Sequence, residues 1–348
     1  MQHLKRYHPP LGNRVGLHLD FNENTGGCSP RVLQAMRTLT AETIATYPER
    51  EPGEHLVARH FHLDPAEVLL TNGVDEAVHL IAETYLEPED EVVIPVPTFS
   101  MYEIYAQATG AKVITIPAGP TFAFPVEQIL AAINPKTKLI AIANPNNPTG
   151  AVASREDLLK IAKAAPDAAL LVDEAYVDFC GETVLSEIRV LPNLFVTRTF
   201  SKAFGMAGLR LGFVAGATRE IELLRKVASP YNVNAVALAC LEEALADKAF
   251  VENYVREVVA GRAELQSTLG ELGIEHWPSA ANFVLTRLGP MRLWFIEEMR
   301  RRQILVRDRN SDPGCEGCVR IGLGTTAQNQ ELLANLREIM VLVREGAK

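Results

Sequence analysis

An α/β fold, with a mostly parallel sheet covered by helices on both faces and a smaller α+β domain, is the class this sequence predicts, on three observations. Short apolar runs alternate with helical patterns through the first two thirds of the chain, as in a parallel sheet wrapped by crossover helices. Those runs stop at polar, acidic or glycine-containing segments, and in such sheets ligands sit beyond the carboxyl ends of the strands. Beyond about residue 245 the pattern changes to long helices and a few short strands.

With 348 residues the chain has room for a large and a small domain. The expected boundaries are 31–245 for the large domain, and 1–30 with 246–348 for the small one, the amino-terminal arm returning to pack on it. A net charge of -9 argues against a nucleic-acid surface, though a local basic patch around a phosphate ligand stays compatible with it. No apolar run is long enough to suggest a membrane span. Met1-Gln2-His3-Leu4-Lys5-Arg6 has charge with no apolar stretch behind it, so a cytoplasmic address without a signal peptide is expected. Five scattered cysteines fit a reducing compartment. Cys315-Glu316-Gly317-Cys318 has the spacing of a redox or metal half-site, but it lacks a second such pair, and a structural role is expected. No metal site is predicted.

In chain order, Leu17-His18-Leu19-Asp20-Phe21-Asn22-Glu23-Asn24 reads as a strand end running into a polar turn. Ser29 and Pro30 mark the cap and first position of a helix whose apolar residues are Val32, Leu33, Met36 and Leu39. Tyr47 precedes a proline and is held extended, in a loop. Val68-Leu69-Leu70-Thr71 is a strand, followed by Asn72-Gly73 and a helix with Val74, Ala77, Val78, Ile81, Ala82 and Tyr85 on one face. That unit points the amides of a helix start at whatever lies above the strand, which suits a phosphate and equally suits an ordinary strand-to-helix turn.

Further strands are expected at Glu91–Pro95, with Phe99 just beyond, at Lys112–Ile116 and at Lys138–Ala143. The last runs into Asn144-Pro145-Asn146-Asn147-Pro148-Thr149-Gly150. Ser154 and Asp157 form a capping-box-like start to the next helix. Ala168–Val172 is a buried strand ending in Asp173-Glu174-Ala175-Tyr176, and Leu194-Phe195-Val196 is another. In the last third, helices are expected at 235–245, 251–272 and 293–302. Strands follow at 282–285 and 319–323, and the final helix shows Leu332, Leu333, Leu336, Ile339, Met340 and Val343 on one face.

Thr199-Phe200-Ser201-Lys202-Ala203-Phe204-Gly205-Met206-Ala207-Gly208-Leu209-Arg210 is the segment around which the rest is organised. A lysine among hydroxyls and small residues, with an arginine close behind, suits an anionic ligand whose aldehyde an amine can capture. Taken alone, Lys202 also fits a solvated surface lysine. An apolar strand ending in Asp-Glu is shared with nucleotide hydrolases, but no GxxxxGK[ST] occurs in the chain, which argues against that class.

Asn147-Pro148-Thr149-Gly150, Asp173-Glu174-Ala175-Tyr176 and Ser201 to Arg210, in that order and each at a strand end, closely resemble the fold type I pyridoxal-phosphate aminotransferases. The resemblance covers most of the chain and implies a seven-stranded-type sheet of the pyridoxal-phosphate transferase fold. It further implies pyridoxal 5'-phosphate as cofactor, held by Lys202 as a Schiff base, with the freed amine moving the substrate proton. Asp173 is implied beside the ring nitrogen, where a carboxylate keeps that nitrogen protonated. Tyr176 and Asn147 are implied on the ring's 3-oxygen. Phe99 stands where the family commonly has an aromatic stacking on the ring. The phosphate is expected on Arg210, Ser201, Thr199 and the amides of Val74 and Asp75. Tyr47 in Tyr47-Pro48-Glu49 matches a tyrosine that similar enzymes supply from the partner subunit, which implies a homodimer with shared sites.

Within the family the chain is most similar to histidinol-phosphate aminotransferases, through Leu19–Asn24, Tyr47–Glu49, Val306-Arg307-Asp308 and Val319-Arg320-Ile321. Arg320 is implied as a bidentate fork for the substrate carboxylate, with Arg307 as a second charge and Phe21 and Asn22 beside them. The implied reaction is ping-pong amino transfer between histidinol phosphate and 2-oxoglutarate. An aromatic aminotransferase and a threonine-phosphate decarboxylase are built on similar frames, and a non-catalytic regulator retaining the fold is a further alternative. Thr25-Gly26 replaces the proline usual after Asn-Glu-Asn, which bears on how the arm packs.

Overall fold

Continuous apolar runs sort themselves by strand pleat. Along Ala169–Asp173, Ala169 and Leu171 join one core while Leu170 and Val172 join the other. The same alternation in neighbouring strands buries the inner part of the sheet on both faces, so those strands need no polar side. The computed structural model describes residues 12 and 14–344; the reading of Met1–Arg6 and the side chain of Val343 fall outside the residues so described.

The elements run β1 (Leu17–His18), α1 (Pro30–Arg37), α2 (Ala41–Ala45), α3 (Glu51–Phe61), β2 (Val68–Thr71), α4 (Gly73–Tyr85), β3 (Glu91–Val96), α5 (Met101–Ala108), β4 (Lys112–Pro117), α6 (Val126–Ala132), β5 (Thr137–Ala143), α7 (Arg155–Ala164), β6 (Ala169–Asp173), β7 (Leu194–Thr199) and β8 (Gly212–Ala215). They continue with α8 (Thr218–Val227), α9 (Ala235–Ala246), α10 (Lys248–Glu271), β9 (Glu275–His276), β10 (Phe283–Arg287), α11 (Arg292–Arg301), β11 (Ile304–Leu305), β12 (Arg307–Asp308), β13 (Cys318–Gly322) and α12 (Thr326–Arg344).

Seven strands form one sheet in the order β2-β8-β7-β6-β5-β3-β4. Only β8 runs against the others in it, pairing antiparallel with both β7 and β2. Helices α4, α5 and α8 cover one face through Val78, Ile81, Tyr102, Ala106, Ile221 and Leu224. On the other face Val57, Leu158, Ile161, Ala237 and Leu241 pack, and this core runs on into Val258, Phe283 and Leu336. A four-stranded sheet in the order β12-β13-β10-β9 carries the last third, and β1 pairs parallel with β11 beside it. Through that pairing Leu17 and His18 lie against Ile304 and Leu305.

Ser29 accepts a hydrogen bond from the Arg31 amide and caps α1, as its sequence signature indicates. At α7 the Ser154 side chain accepts from the Asp157 amide and donates to the Asp157 carboxylate, so the reciprocal half of a capping box is absent. Helix α3 carries Pro52 and Gly53 in its first turn. The proline's missing N–H costs nothing there. Gly53 is there for contact: a Cβ would lie 2.7 Å from Leu70 Cδ1 and 3.0 Å from Leu238 Cδ2. Cys315 and Cys318 are free and buried beside Phe122, Trp277 and Leu285, a packing role.

Candidate active site

Parallel strands deliver their last residues to one edge, and that edge carries the polar chemistry of the chain. Thr71, Ala143, Asp173 and Thr199 end β2, β5, β6 and β7 there. Because β8 runs the other way, its first residue Gly212 lies at the same edge, opposite Thr71 and Thr199, and brings Arg210 with it. A cavity of about 210 Å³ sits over this edge. It is lined by Phe21, Asn22, Val74, Asp75, Phe99, Asn147, Asp173, Tyr176, Thr199, Ser201, Lys202, Arg210, Arg307 and Arg320. Of the residues singled out by sequence, only Tyr47 is elsewhere: it is 74% exposed and stacked on Tyr231 at 4.3 Å.

One end of the cavity is an anion cradle. Helix α4 opens with amides that have no partner inside the helix, and its dipole favours negative charge there. Arg210 lies against this start: Nη2 donates to Asp75 Oδ2 at 3.1 Å, and Nη1 to Ser201 Oγ at 3.4 Å. Gly73 has φ +73°, and a Cβ on it would sit 2.6 Å from Arg210 Nη2. The glycine therefore makes the room in which guanidinium and helix start meet. Thr199 Oγ1 accepts from the Ser201 amide at 3.1 Å, which fixes both hydroxyls beside the cradle. A dianionic phosphate fits this donor set.

Asp173 lies beneath the middle of the cavity. Burial pushes its carboxyl up to about 6, against hydrogen bonds that favour the charged form from the Tyr102 hydroxyl at 2.6 Å and the Ala175 amide at 3.1 Å. A protonated ring nitrogen is the kind of partner that would offset the cost of its buried charge. Tyr102, on α5, is fully buried; in sequence it stands with Phe99 as an aromatic just past the end of β3, with no role assigned to it. The two rings meet edge to face at 5.6 Å.

Lys202 Nζ donates to the Phe21 carbonyl at 3.2 Å and lies 5.6 Å from the centre of the Tyr176 ring. The Tyr176 hydroxyl accepts from Asn22 Nδ2 at 3.0 Å, which leaves its own proton for another acceptor. Asn147 Oδ1 accepts from Arg320, so its amide nitrogen remains to donate. Arg320 also donates to the Asp20 carbonyl at 2.6 Å. Three successive arm residues, Asp20, Phe21 and Asn22, thus each hold one polar group of the site. Asn22 adopts φ 57°, and its Oδ1 is buried with no hydrogen-bond partner among the described residues. Where the usual proline is absent, the Thr25 hydroxyl donates to Gln328 Oε1 at 2.5 Å and ties the arm to α12.

At the end away from the cradle, Arg307 and Arg320 stand directly opposite each other on β12 and β13. Arg307 packs over the Phe21 ring at 5.2 Å. Arg309 lines the cavity as well, a position the sequence reading passed over although Arg307-Asp308-Arg309 alternates like a strand. Among the described residues no group of three acidic, histidine or cysteine side chains is placed to hold a metal, and no helix is long and apolar enough to cross a membrane.

A lysine, a buried carboxylate and an anion cradle around one cavity at this sheet edge suit pyridoxal phosphate, and the fold is that of the fold type I pyridoxal-phosphate-dependent aminotransferases. Residues 14–336 match aminotransferase class I and II, and the chain belongs to that family. It is 35% identical to histidinol-phosphate aminotransferase 1 of Trichormus variabilis, over 95% of this chain and 94% of that one. The solved histidinol-phosphate aminotransferase of Sinorhizobium meliloti, in complex with pyridoxal-5'-phosphate, shares the fold at a TM-score of 0.88, with 24% identity over 98% of this chain and 96% of that one. The L-threonine-O-3-phosphate decarboxylase of Porphyromonas gingivalis does so at 0.81, with 24% identity over 93% and 99%.

Proposed function

We propose that this aminotransferase exchanges an amino group between histidinol phosphate and 2-oxoglutarate in two half-reactions at one site. The observation that carries the reading is the pair Arg307 and Arg320 at the far end of a cavity whose near end is already an anion cradle. Two guanidiniums suit a site that accepts a carboxylate in one half-reaction and a phosphate ester in the other. The name borne by the Trichormus variabilis relative, matched nearly end to end, supports the same donor.

When bound, pyridoxal phosphate supplies an aldehyde for covalent capture of amines and a ring that withdraws electrons. Lys202 is the amine that holds it and then the base that moves the proton at the substrate α-carbon. Asp173, steadied by Tyr102, would keep the ring nitrogen protonated. Tyr176 and Asn147 would donate to the 3-oxygen, and Phe99 would give the ring a face to lie on. Arg210, Ser201, Thr199 and the amides of Val74 and Asp75 hold the phosphate. Arg320 and Arg307 bind the substrate anion, and Phe21 and Asn22 close over it.

The same reading includes a homodimer in which Tyr47 reaches the partner's phosphate cradle. Its support is the exposed apolar surface of Tyr47 with Tyr231, Ile44 and Leu33. It also includes the large domain 31–245, the small domain 1–30 with 246–348, supported by the pairing of β1 with β11, and a cytoplasmic place of work.

Initial rates with histidinol phosphate, phenylalanine and threonine phosphate test the donor. Parallel double-reciprocal lines for histidinol phosphate with 2-oxoglutarate are expected. A clear preference for phenylalanine, or carbon dioxide release from threonine phosphate, would defeat the assignment. A protein that binds the cofactor and turns over no donor would be a regulator instead.

A further inference from the structure

Strand alternation turns Arg307 and Arg309 to one side, and both line the cavity together with Arg320. The Arg309 amide donates to the Cys318 carbonyl at 3.1 Å, carrying the ladder one residue past β12. The chain then folds back on itself: the amide of Asp312 donates to the Arg309 carbonyl at 3.0 Å, that of Cys315 to Asp312 at 3.0 Å and that of Cys318 to Cys315 at 2.9 Å. These turns return the Asp312 carboxylate to the Arg309 guanidinium as an ion pair. Asp312 is not part of the cavity wall, so the carboxylate steers the guanidinium from behind. Arg309 Nε is buried with no hydrogen-bond partner among the described residues.

The wall holds Lys202, Arg210, Arg307, Arg309 and Arg320 against the carboxylates of Asp75 and Asp173. Asp75 is committed to Arg210 at the cradle, and Asp173 lies under the middle. The far end therefore has three guanidiniums in its wall, and the Asp312 carboxylate behind Arg309 offsets only part of their charge. One carboxylate of an amino acid does not need so much charge, whereas a phosphate monoester carries nearly two negative charges. In histidinol phosphate the phosphate is also joined through a methylene and an oxygen to the carbon that bears the carboxylate in glutamate. It reaches farther from the reacting carbon than a carboxylate does, which leaves room for a further cation of the wall to meet it.

We propose that Arg309, oriented by Asp312, binds the phosphate of the amino donor and sets the preference for a phosphate ester over the free alcohol. This rests on the donor reading given above. The test compares wild type, Arg309→Gln and Arg309→Lys, each loaded with cofactor, using histidinol phosphate and histidinol as donors and 2-oxoglutarate as acceptor. Losing a charge-assisted contact lowers kcat/KM for histidinol phosphate roughly tenfold or more in Arg309→Gln, mainly through KM. Activity on histidinol and KM for 2-oxoglutarate move by less than about threefold, and Arg309→Lys recovers part of the loss. Calorimetric titration with inorganic phosphate gives a readout apart from turnover, and Arg309→Gln weakens that binding by a similar factor. Equal losses on both donors and on the acceptor mean that Arg309 only shapes the loop, which overturns the inference. So does an Arg309→Gln enzyme that is indifferent on the ester while wild type is active. A wild type inactive on histidinol phosphate overturns the donor reading, and the inference falls with it.

Discussion

Asp173 has two opposed tasks at the scale of a single residue. Burial raises its carboxyl from an ordinary 3.8 to about 6 in the cofactor-free pocket. A folded-state value above the unfolded one means that the stability contribution is complete below about pH 4 and is lost as pH rises through about 6. Asp173→Asn is therefore expected to make the cofactor-free protein more stable at pH 7 by up to about 3 kcal/mol, with the difference vanishing near pH 4, as read by urea unfolding. The same substitution removes the charge that holds the ring proton, so turnover is expected to fall by several orders of magnitude. An Asp173→Asn protein with wild-type stability at both pH values would show that this carboxyl is not perturbed. In the loaded enzyme a cationic ring nitrogen pulls the carboxyl down, which places its acid limb of activity below about pH 6. Lys202→Ala is expected to abolish both turnover and the visible band that borohydride bleaches in wild type. Persistence of a borohydride-sensitive band would assign the linkage to another amine. Lys202 and Asp173 were legible in sequence as polar groups at strand ends, and the roles expected of them came from the resemblance to the fold type I aminotransferases. Tyr102 was not, because its contribution is a contact with Asp173 across 71 positions of chain.

Among the elements, α4 with its glycine start has the most to lose from a small change. Gly73→Ala must accommodate a left-handed backbone and a methyl carbon 2.6 Å from Arg210 Nη2, so guanidinium and helix start cannot both keep their places. The backbone strain is about 1–2 kcal/mol, and cofactor affinity in equilibrium dialysis is expected to fall by roughly tenfold or more. Unchanged affinity would place the phosphate somewhere other than the cradle. The turn Asn72-Gly73 was visible in sequence as a strand-to-helix junction, yet nothing local distinguished a phosphate cradle from an ordinary turn. Arg210, just ahead of the antiparallel β8, is the distant residue that favours the cradle reading. Helix α3 shows the reverse case. Its proline and glycine look like breakers, and only the approach of Leu70 and Leu238 to Gly53 explains why they are tolerated.

Across the whole molecule the dimer reading makes an expectation that no single-chain defect can imitate. Lys202→Ala and Tyr47→Ala subunits are each expected to be impaired alone. Mixed in equal amounts and allowed to exchange, they form hybrids in which one of two sites has both residues, and roughly a quarter of wild-type activity returns. Mixtures no better than the separate variants would mean that Tyr47 acts within its own chain or not at all. By itself the sequence determined the alternation of strands and helices, the identity of the groups at each strand end, and the cap of α1. These follow from local sterics, apolar periodicity and short-range hydrogen bonds, all written within a few residues of one another. The tertiary structure alone decided the antiparallel course of β8, the grip of Asp20, Phe21 and Asn22 on Arg320, Lys202 and Tyr176, and the place of Arg309 in the cavity wall. Those depend on partners far apart in the chain, as with Phe21 and Lys202 across 181 positions, and local pattern carries no record of which distant edge a segment will meet.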